Sequence, residues 1–462
     1  MSLIAPSDPR PIHFVGIAGA GMSALAELLV RRGATVTGCD SNLAGAADLR
    51  RLGLQLHEGH DPAHVDGAHA VVVTSAVPKN HPELERAREL GIPVIRRAEA
   101  LGEAVAGTTL VAVAGTHGKT TTTVLTTEAL RAAGIDATGV VGGRVGSWGG
   151  NLSEGGEDVF VVEADEYDRS FLALAPTIAV VTNVEADHLD IYRDLDDIRA
   201  TFATFVGGAR QIVLCADDDG ANTLKVPLGA EIFRYGIASN DARVRATGLA
   251  LAPDSSRYAV EFDGKALGHV NLPVPGRHNV LNSLAAIATG LALGATVDAM
   301  ANGLARFAGV ERRFQRLGET AGVAIVDDYA HNPTKVRAAL ETARVAFPGR
   351  RLVAAFQPHL FTRTRDFARE FGESLSIADV VLLTEIYPAR EKPIDGVTSG
   401  LVADGVRAAG KTVAWRGDRT ALADALAGIV RQGDVVVTIG AGDITRTGPE
   451  LIARLGSAPV AR

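Results

Sequence analysis

The stretch from Thr109 to Val124, TLVAVAGTHGKTTTTV, constrains this chain more than any other. Leu110 to Ala114 is a short apolar run that reads as a buried parallel strand ending at Gly115. Gly115 and Gly118 free the backbone between them, Thr116 and His117 included, to curl so that successive N–H groups face an anion. Lys119 and Thr120 then open a helix whose positive end adds to that field. The expectation is a phosphate cradle, with Lys119 on the β- and γ-phosphates and the hydroxyl of Thr120 or Thr121 completing the shell of a magnesium ion. The full G-x-x-x-x-G-K-[ST] pattern asks for glycine at 113, where this chain has Val113. An ordinary strand-to-helix glycine turn would leave Lys119 and its four following threonines without a task.

At 462 residues the chain should divide into two to four domains, each with its own core, and 47% apolar residues with alternating strand and helix patterns point to α/β layers. A net charge of -8 argues against a general nucleic-acid or membrane surface, so any anion site must be local. Cys39 and Cys215 lie far apart at the ends of apolar runs and read as buried free thiols rather than a disulfide or metal pair. The start, MSLIAPSDPRP, lacks a charged region followed by an apolar core, and no run approaches ~18 apolar residues, so the expected location is the cytoplasm.

Ahead of the cradle, Ile12 to Ile17 reads as a strand and Met22 to Arg32 as a helix, with Val36 to Gly38 a second strand ending near Asp40. Gly19, Gly21 and Ala24 give G-x-G-x-x-A, with an acidic residue about 20 positions on, the dinucleotide fingerprint. A diphosphate could rest on the turn formed by Gly19, Ala20, Gly21, Met22 and Ser23, and Asp40 could bind a ribose or a base. Which nucleotide stays open, and a turn that merely lets helix and strand pack closely is the plainer alternative. Val71 to Ser75 is another strand, with Thr74 and Ser75 at the carboxyl end where open α/β sheets bind ligands. Residues 102–108 look like a linker, and the glycine-dense stretch 140–150 looks like a mobile loop. Val159 to Val162 is a strand capped by Glu163, Asp165, Glu166 and Asp168; Glu163, first out of the strand, is the expected second magnesium contact, and the others read as a solvated acidic turn. His188, after Asn183 and Asp187, reads by itself as structural, since histidine is an uncommon ligand for a hard ion. Further on, His359, Arg363 and Arg365 follow the strand Leu352 to Phe356 as a plausible carboxylate clamp, within a loop running from Gln357 to Arg365.

GIAGAGMS at Gly16 to Ser23, GTHGKTTT at Gly115 to Thr122, EADE at Glu163 to Glu166 and NVEADHLD at Asn183 to Asp190 together resemble the Mur ligase family. GRHNVLN at Gly276, ERRFQ at Glu311, DDYAHNPTKV at Asp327 and FQPHLFTRTRDF at Phe356 agree with it in order. The resemblance spans nearly the whole chain and leans to the branch that adds alanine. It implies an α/β fold of three domains: a Rossmann-like UDP-sugar domain at 1–105, a central P-loop ATP-binding domain at 106–311, and a C-terminal, doubly wound α/β, amino-acid-binding domain at 312–462. It also implies an ATP-dependent amide ligase that joins L-alanine to the lactyl carboxylate of UDP-N-acetylmuramate through an acyl phosphate, in peptidoglycan precursor synthesis, acting as a monomer or homodimer. Two magnesium sites are implied, manganese being possible, with Glu163 and His188 holding the second ion. His278, Asn279 and Asn282 would lie near the adenine, Arg313 would approach the phosphates, Asp328 would take the ribose, and Tyr329, His331, His359 and Arg363 would face the amino acid. Lys119, Glu163, His188, Arg313 and His331 are then the expected catalytic set. Several relatives hold the metal with a carbamylated lysine after the DH motif; no lysine occurs here between Lys119 and Lys225, as expected for the alanine-adding branch.

Three rival readings follow from parts of the same pattern. A nicotinamide dehydrogenase would use the Gly19–Gly21 turn but give the Lys119 cradle no task. A Rossmann-type nucleotide binder or switch without ligase activity would need the cradle but no carboxylate clamp. Within the family, a recycling ligase that adds a peptide is the nearest alternative, and GIAGAGMS leans against it.

Overall fold

The computed structural model describes residues 8–457; residues 1–7, part of the segment read above for a leader, and 458–462 lie outside the described residues. Short, fully apolar runs make parallel strands buried on both faces, and these assemble into three sheets in chain order. In the first, Ile12–Val15 lies between Val36–Asp40 and Ala70–Val73, with Gln55–Glu58 and Val94–Arg96 at the edges, all parallel. The strand order reverses at Ile12–Val15, and such a reversal opens a crevice at the carboxyl ends of the strands. The turn after Ile12–Val15 and the helix Ala20–Arg31 sit there.

The second sheet has ten strands, and Thr109–Ala114 is near its middle, between Val159–Glu163 and Ile178–Val181. The helix that follows, Lys119–Ala132, packs on Arg277–Ala292 and Val297–Leu304. An antiparallel run, Val244–Leu251, Ser256–Phe262 and Lys265–Leu272, extends the far side of this sheet. The third sheet has six strands, with Val323–Asp328 and Leu352–Phe356 flanking Val435–Ile439 in parallel.

The domains are not joined alike. One continuous apolar core runs from Leu25 and Leu29 of the N-terminal helix to Val140, Val145 and Leu152 of the central sheet. The C-terminal sheet keeps its own cores on its two faces, and the contacts it makes across to 185–190 are polar.

Three local expectations are corrected. Only residues 105–108 serve as the linker expected at 102–108, because Arg97–Ala104 is a helix with a capping box between Arg96 and Glu99. Gly102 lets that helix approach Ala173, whose carbonyl oxygen would lie 2.5 Å from an added Cβ. Residues 140–150 are not a loop either: Thr138–Val145 pairs antiparallel with Gly150–Ser153. The stretch 357–365 is a loop only to Leu360 and then enters the short helix Phe361–Asp366. Cys39 and Cys215 are buried free thiols, and no helix among the described residues is long and apolar enough to cross a membrane.

Candidate active site

The cradle forms where the sequence places it. Gly118 takes a left-handed conformation (φ 81°) and starts the helix Lys119–Ala132, whose first turn no side chain caps. Uncapped N–H groups at a helix start need an acceptor, and an anion supplies it. The Thr116 and His117 amides are already tied to Asn183, at 3.1 and 2.7 Å. The open part is Gly118, Thr120 and Thr121, which line a cleft. Thr122 instead bonds Asn282 and Thr123 bonds back to the Lys119 carbonyl.

Lys119 Nζ donates to Gly115 O at 2.8 Å and to Glu166 Oε2 at 2.6 Å. Burial works against its charge, but Glu166 and Asp165 outweigh it and lift the Lys119 pKa above its ordinary value. The ammonium is therefore held charged. Thr120 Oγ1 donates to Glu163 Oε1 at 2.9 Å, while Glu163 Oε2 accepts the Gly142 N–H at 2.7 Å. His188 stands against Glu166 rather than Glu163, with Nε2 3.7 Å from Glu166 Oε1. His188 Nδ1 and Glu166 Oε1 are both buried without a hydrogen-bond partner.

His278, Asn279 and Asn282, on the first turns of Arg277–Ala292, line the same cleft. Burial brings His278 down to about 4, so its ring is neutral. Arg313, Phe314, Asp328 and Lys335 close the cleft from the C-terminal domain. Asp328 accepts the Phe314 and Ala330 amides at 2.8 and 2.7 Å, and burial lifts it to about 6 against the pull of Arg313. Of the basic cluster, Arg312 is a structural brace, bonded to Asp327 and the Gly440 carbonyl, whereas Arg313 faces the cleft. Both guanidinium groups stack on Tyr329, at 4.8 and 5.1 Å.

His331 Nδ1 lies 2.8 Å from the Tyr329 carbonyl, which places the ring hydrogen there and leaves Nε2 as the acceptor, 3.4 Å from Lys335 Nζ. Burial, with Lys335 beside it, holds His331 well below the ordinary histidine range. Burial also brings Lys335 down to about 8 despite the nearby Asp187 charge. His359 touches Arg363 at 3.2 Å and stacks on Tyr387. Arg363 is not a vacant clamp: its Nε and Nη2 both bind Asp187 Oδ1, and Asn332 binds the other Asp187 oxygen at 3.2 Å. Thr334 adds a second link to the central domain, donating to Glu185 at 2.7 Å.

Gly19, Ala20, Gly21, Met22, Asp40 and Thr74 line a second cleft in the N-terminal domain. The start of helix Ala20–Arg31 is uncapped by any side chain. Asp40 braces the turn, accepting the Ala18 and Asn42 amides. Ser23 bonds back to the Ala20 carbonyl, Ser75 is exposed, and neither lines the cleft. Glu163 forms part of the far wall. Glu166, Asp187 and Lys335 carry no role in the sequence reading, although each lies inside a stretch quoted above; motif membership was the available signal. Arg97, which also lines the N-terminal cleft, carried no signal.

Two nucleotide-type clefts meeting at one threonine–carboxylate contact, with a third domain closing over one of them, define a three-domain α/β nucleotide-using ligase. Family models agree: the Mur ligase family catalytic domain matches residues 11–109, the middle domain 113–290, and the glutamate ligase domain 312–442. The UDP-N-acetylmuramate–L-alanine ligase of Acidothermus cellulolyticus is 45% identical over 458 residues, covering 96% of each chain. The crystal structure of UDP-N-acetylmuramate–alanine ligase from Thermotoga maritima superimposes with a TM-score of 0.81 at 29% identity, over 97% of this chain and 99% of that one. A murein peptide ligase from Psychrobacter arcticus gives 0.72 at 25% identity, over 98% and 100%. The chain belongs to the Mur ligase family.

Proposed function

We propose that this protein joins L-alanine to the lactyl carboxylate of UDP-N-acetylmuramate at the expense of ATP, in the cytoplasm, in peptidoglycan precursor synthesis. The observation that carries the reading is the Thr120–Glu163 contact: Thr120 lines the cradle cleft, Glu163 lines the N-terminal cleft, and the two touch at 2.9 Å. A carboxylate presented from one cleft therefore arrives beside the terminal phosphate held in the other. The division at 105 and 311 goes with this reading, and the sheets, spanning 12–96, 109–272 and 315–439, support it.

A free carboxylate is a poor acyl donor, because its charge repels nucleophiles and oxide does not leave. In the proposed first step the lactyl oxygen attacks the γ-phosphorus and ADP departs, giving an acyl phosphate. Lys119, kept cationic by Glu166, and Arg313 would stabilise charge on the transferring group. His278, Asn279 and Asn282 would border the adenine, and Asp328 would accept from the ribose hydroxyls. In the second step the alanine nitrogen adds to the acyl carbon and phosphate leaves, forming the amide. The attacking amine must be neutral, and His331, whose ring is anchored at Nδ1 by the Tyr329 carbonyl, would orient it through Nε2. Tyr329, His359 and Arg363 would border the amino acid, with Arg363 sharing its donors between Asp187 and the incoming carboxylate.

Magnesium fits the residues present. Thr120 Oγ1 and Glu163 are hard oxygen donors at the cradle mouth; Glu163 and His188 would hold the second ion, and Glu166 Oε1, without a hydrogen-bond partner and 3.7 Å from His188 Nε2, is a further oxygen donor on the His188 side. When bound, the metal supplies positive charge that screens the phosphates from the attacking carboxylate.

The test is phosphate release with ATP and UDP-N-acetylmuramate across a panel of amino acids and peptides. Release that depends on L-alanine supports the reading. Release with a tripeptide and none with alanine replaces it by the recycling ligase, and release without the sugar nucleotide sinks both.

A further inference from the structure

A cluster buried behind the N-terminal cleft, reaching it through His60, has no part in this chemistry. The Glu83 carboxylate is completely buried, and among the described residues its ion-pair partners are imidazoles: His60, His64 and His81, at 3.4, 2.8 and 3.7 Å. The Cys39 thiol lies 3.1 Å from both of its oxygens. One donor atom from each of His13, Cys39, His64 and Glu83 falls within 4.8 Å of all the others. Zinc bond lengths put the edges of a tetrahedral Cys/His/carboxylate site at about 3.3–3.8 Å, so a small contraction closes the set.

His13 points independently to a ligand. Its side chain is fully buried, Nδ1 is fixed by Thr37 Oγ1 at 2.9 Å, and Nε2 has no partner. A ring anchored through one nitrogen with the other left bare is how a metal-binding histidine is oriented. We propose that His13, Cys39, His64 and Glu83 form a site for one divalent transition-metal ion of the zinc class. Sulfur and imidazole donors select such an ion over magnesium, so the site is separate from the cradle. On binding, Cys39 releases its thiol proton to solvent and the sulfur takes a metal bond.

Access runs past His60, whose side chain is 29% exposed, lines the N-terminal cleft, and lies 3.3 Å from the Cys39 sulfur. The four ligands come from the strands Ile12–Val15 and Val36–Asp40, the turn Pro62–Val65 and the helix Pro82–Glu89. The ion would cross-link four segments, one of them ending at Asp40, which braces the glycine turn. The consequence is a more stable N-terminal domain.

The experiment titrates cobalt(II) into chelator-treated full-length protein in excess magnesium, then displaces it with zinc. One equivalent should bind with a near-ultraviolet thiolate-to-cobalt charge-transfer band, and zinc should raise the melting temperature. The band should vanish in Cys39→Ser and persist in Cys215→Ser. His64→Gln, altered at a partly exposed turn, should weaken cobalt binding at least tenfold, the least expected from losing even an outer partner of a metal site. It decides the matter if Cys39→Ser does not fold. No band, a band retained in Cys39→Ser, or unchanged affinity in His64→Gln overturns the proposal without touching the ligase reading.

Discussion

Arg363 and Asp187 form a nearly solvent-free ion pair, 5% and 3% exposed, that ties the C-terminal domain to the central one at 2.8 Å. The Arg363 charge, against the burial that opposes it, holds the Asp187 carboxyl well below the ordinary aspartate range. Removing one partner of such a pair typically costs about 3–5 kcal/mol, because the other charge stays buried alone. Here the cost falls on domain closure, since the two sides have separate cores. Arg363→Ala and Asp187→Ala should each give a more extended particle in small-angle scattering and lower turnover. The double variant should lose less than the sum of the two, and Arg363→Lys should not rescue.

The N-terminal domain should not take part in that opening, because it shares an apolar core with the central sheet. Adding an ATP analogue and the sugar nucleotide together should compact the particle through the C-terminal domain alone, with a label pair across the N-terminal and central domains unchanged.

Gly115 holds φ at 138°, and an added Cβ would lie 2.0 Å from Thr182 Oγ1. Gly115→Ala should lower stability by about 1–3 kcal/mol through overpacking alone. It should also shift the loop enough to abolish ATP binding, which calorimetry would read directly.

The cradle was legible because its chemistry depends on consecutive residues: strand, Gly115, Gly118, Lys119 and Thr120 lie together in the chain. Glu166 and Asp187 were not, because what makes them important is a partner 47 or 176 positions away. Glycine was misread at 102 and across 140–150 for a related reason. It signals either freedom or close approach, and only the neighbour, Ala173 O in one case and the Glu163 carboxylate in the other, tells which. Arg363 shows the same limit. A guanidinium fork after a strand fits any carboxylate, and the chain supplies one of its own.

Glu166 is what keeps Lys119 charged, since burial alone would lower its pKa. In Glu166→Gln that lowering goes unopposed by its main partner. The alkaline limb of the kcat profile should move to lower pH, with the rate falling as pH rises through the reduced Lys119 pKa.

Asp328 titrates near 6 in the fold against 3.8 for the free side chain. Between those values the folded protein keeps a proton that the unfolded chain has released, so stability falls as pH rises across the window and stays lower above it. Asp328→Asn should abolish this pH dependence of stability between pH 4 and 7, while losing one of the two backbone hydrogen bonds, since its NH2 cannot accept from Phe314 or Ala330 as a carboxylate oxygen does. ATP affinity should fall at the same time.

The decisive measurement is calorimetric binding of an ATP analogue and of UDP-N-acetylmuramate to wild type and to Lys119→Ala. Separate clefts, with Lys119 serving only one, require that the variant lose the ATP analogue and all turnover while binding the sugar nucleotide nearly as before. Loss of both ligands together, or full retention of the ATP analogue, would contradict the assignment of two nucleotide sites on which the chemistry rests.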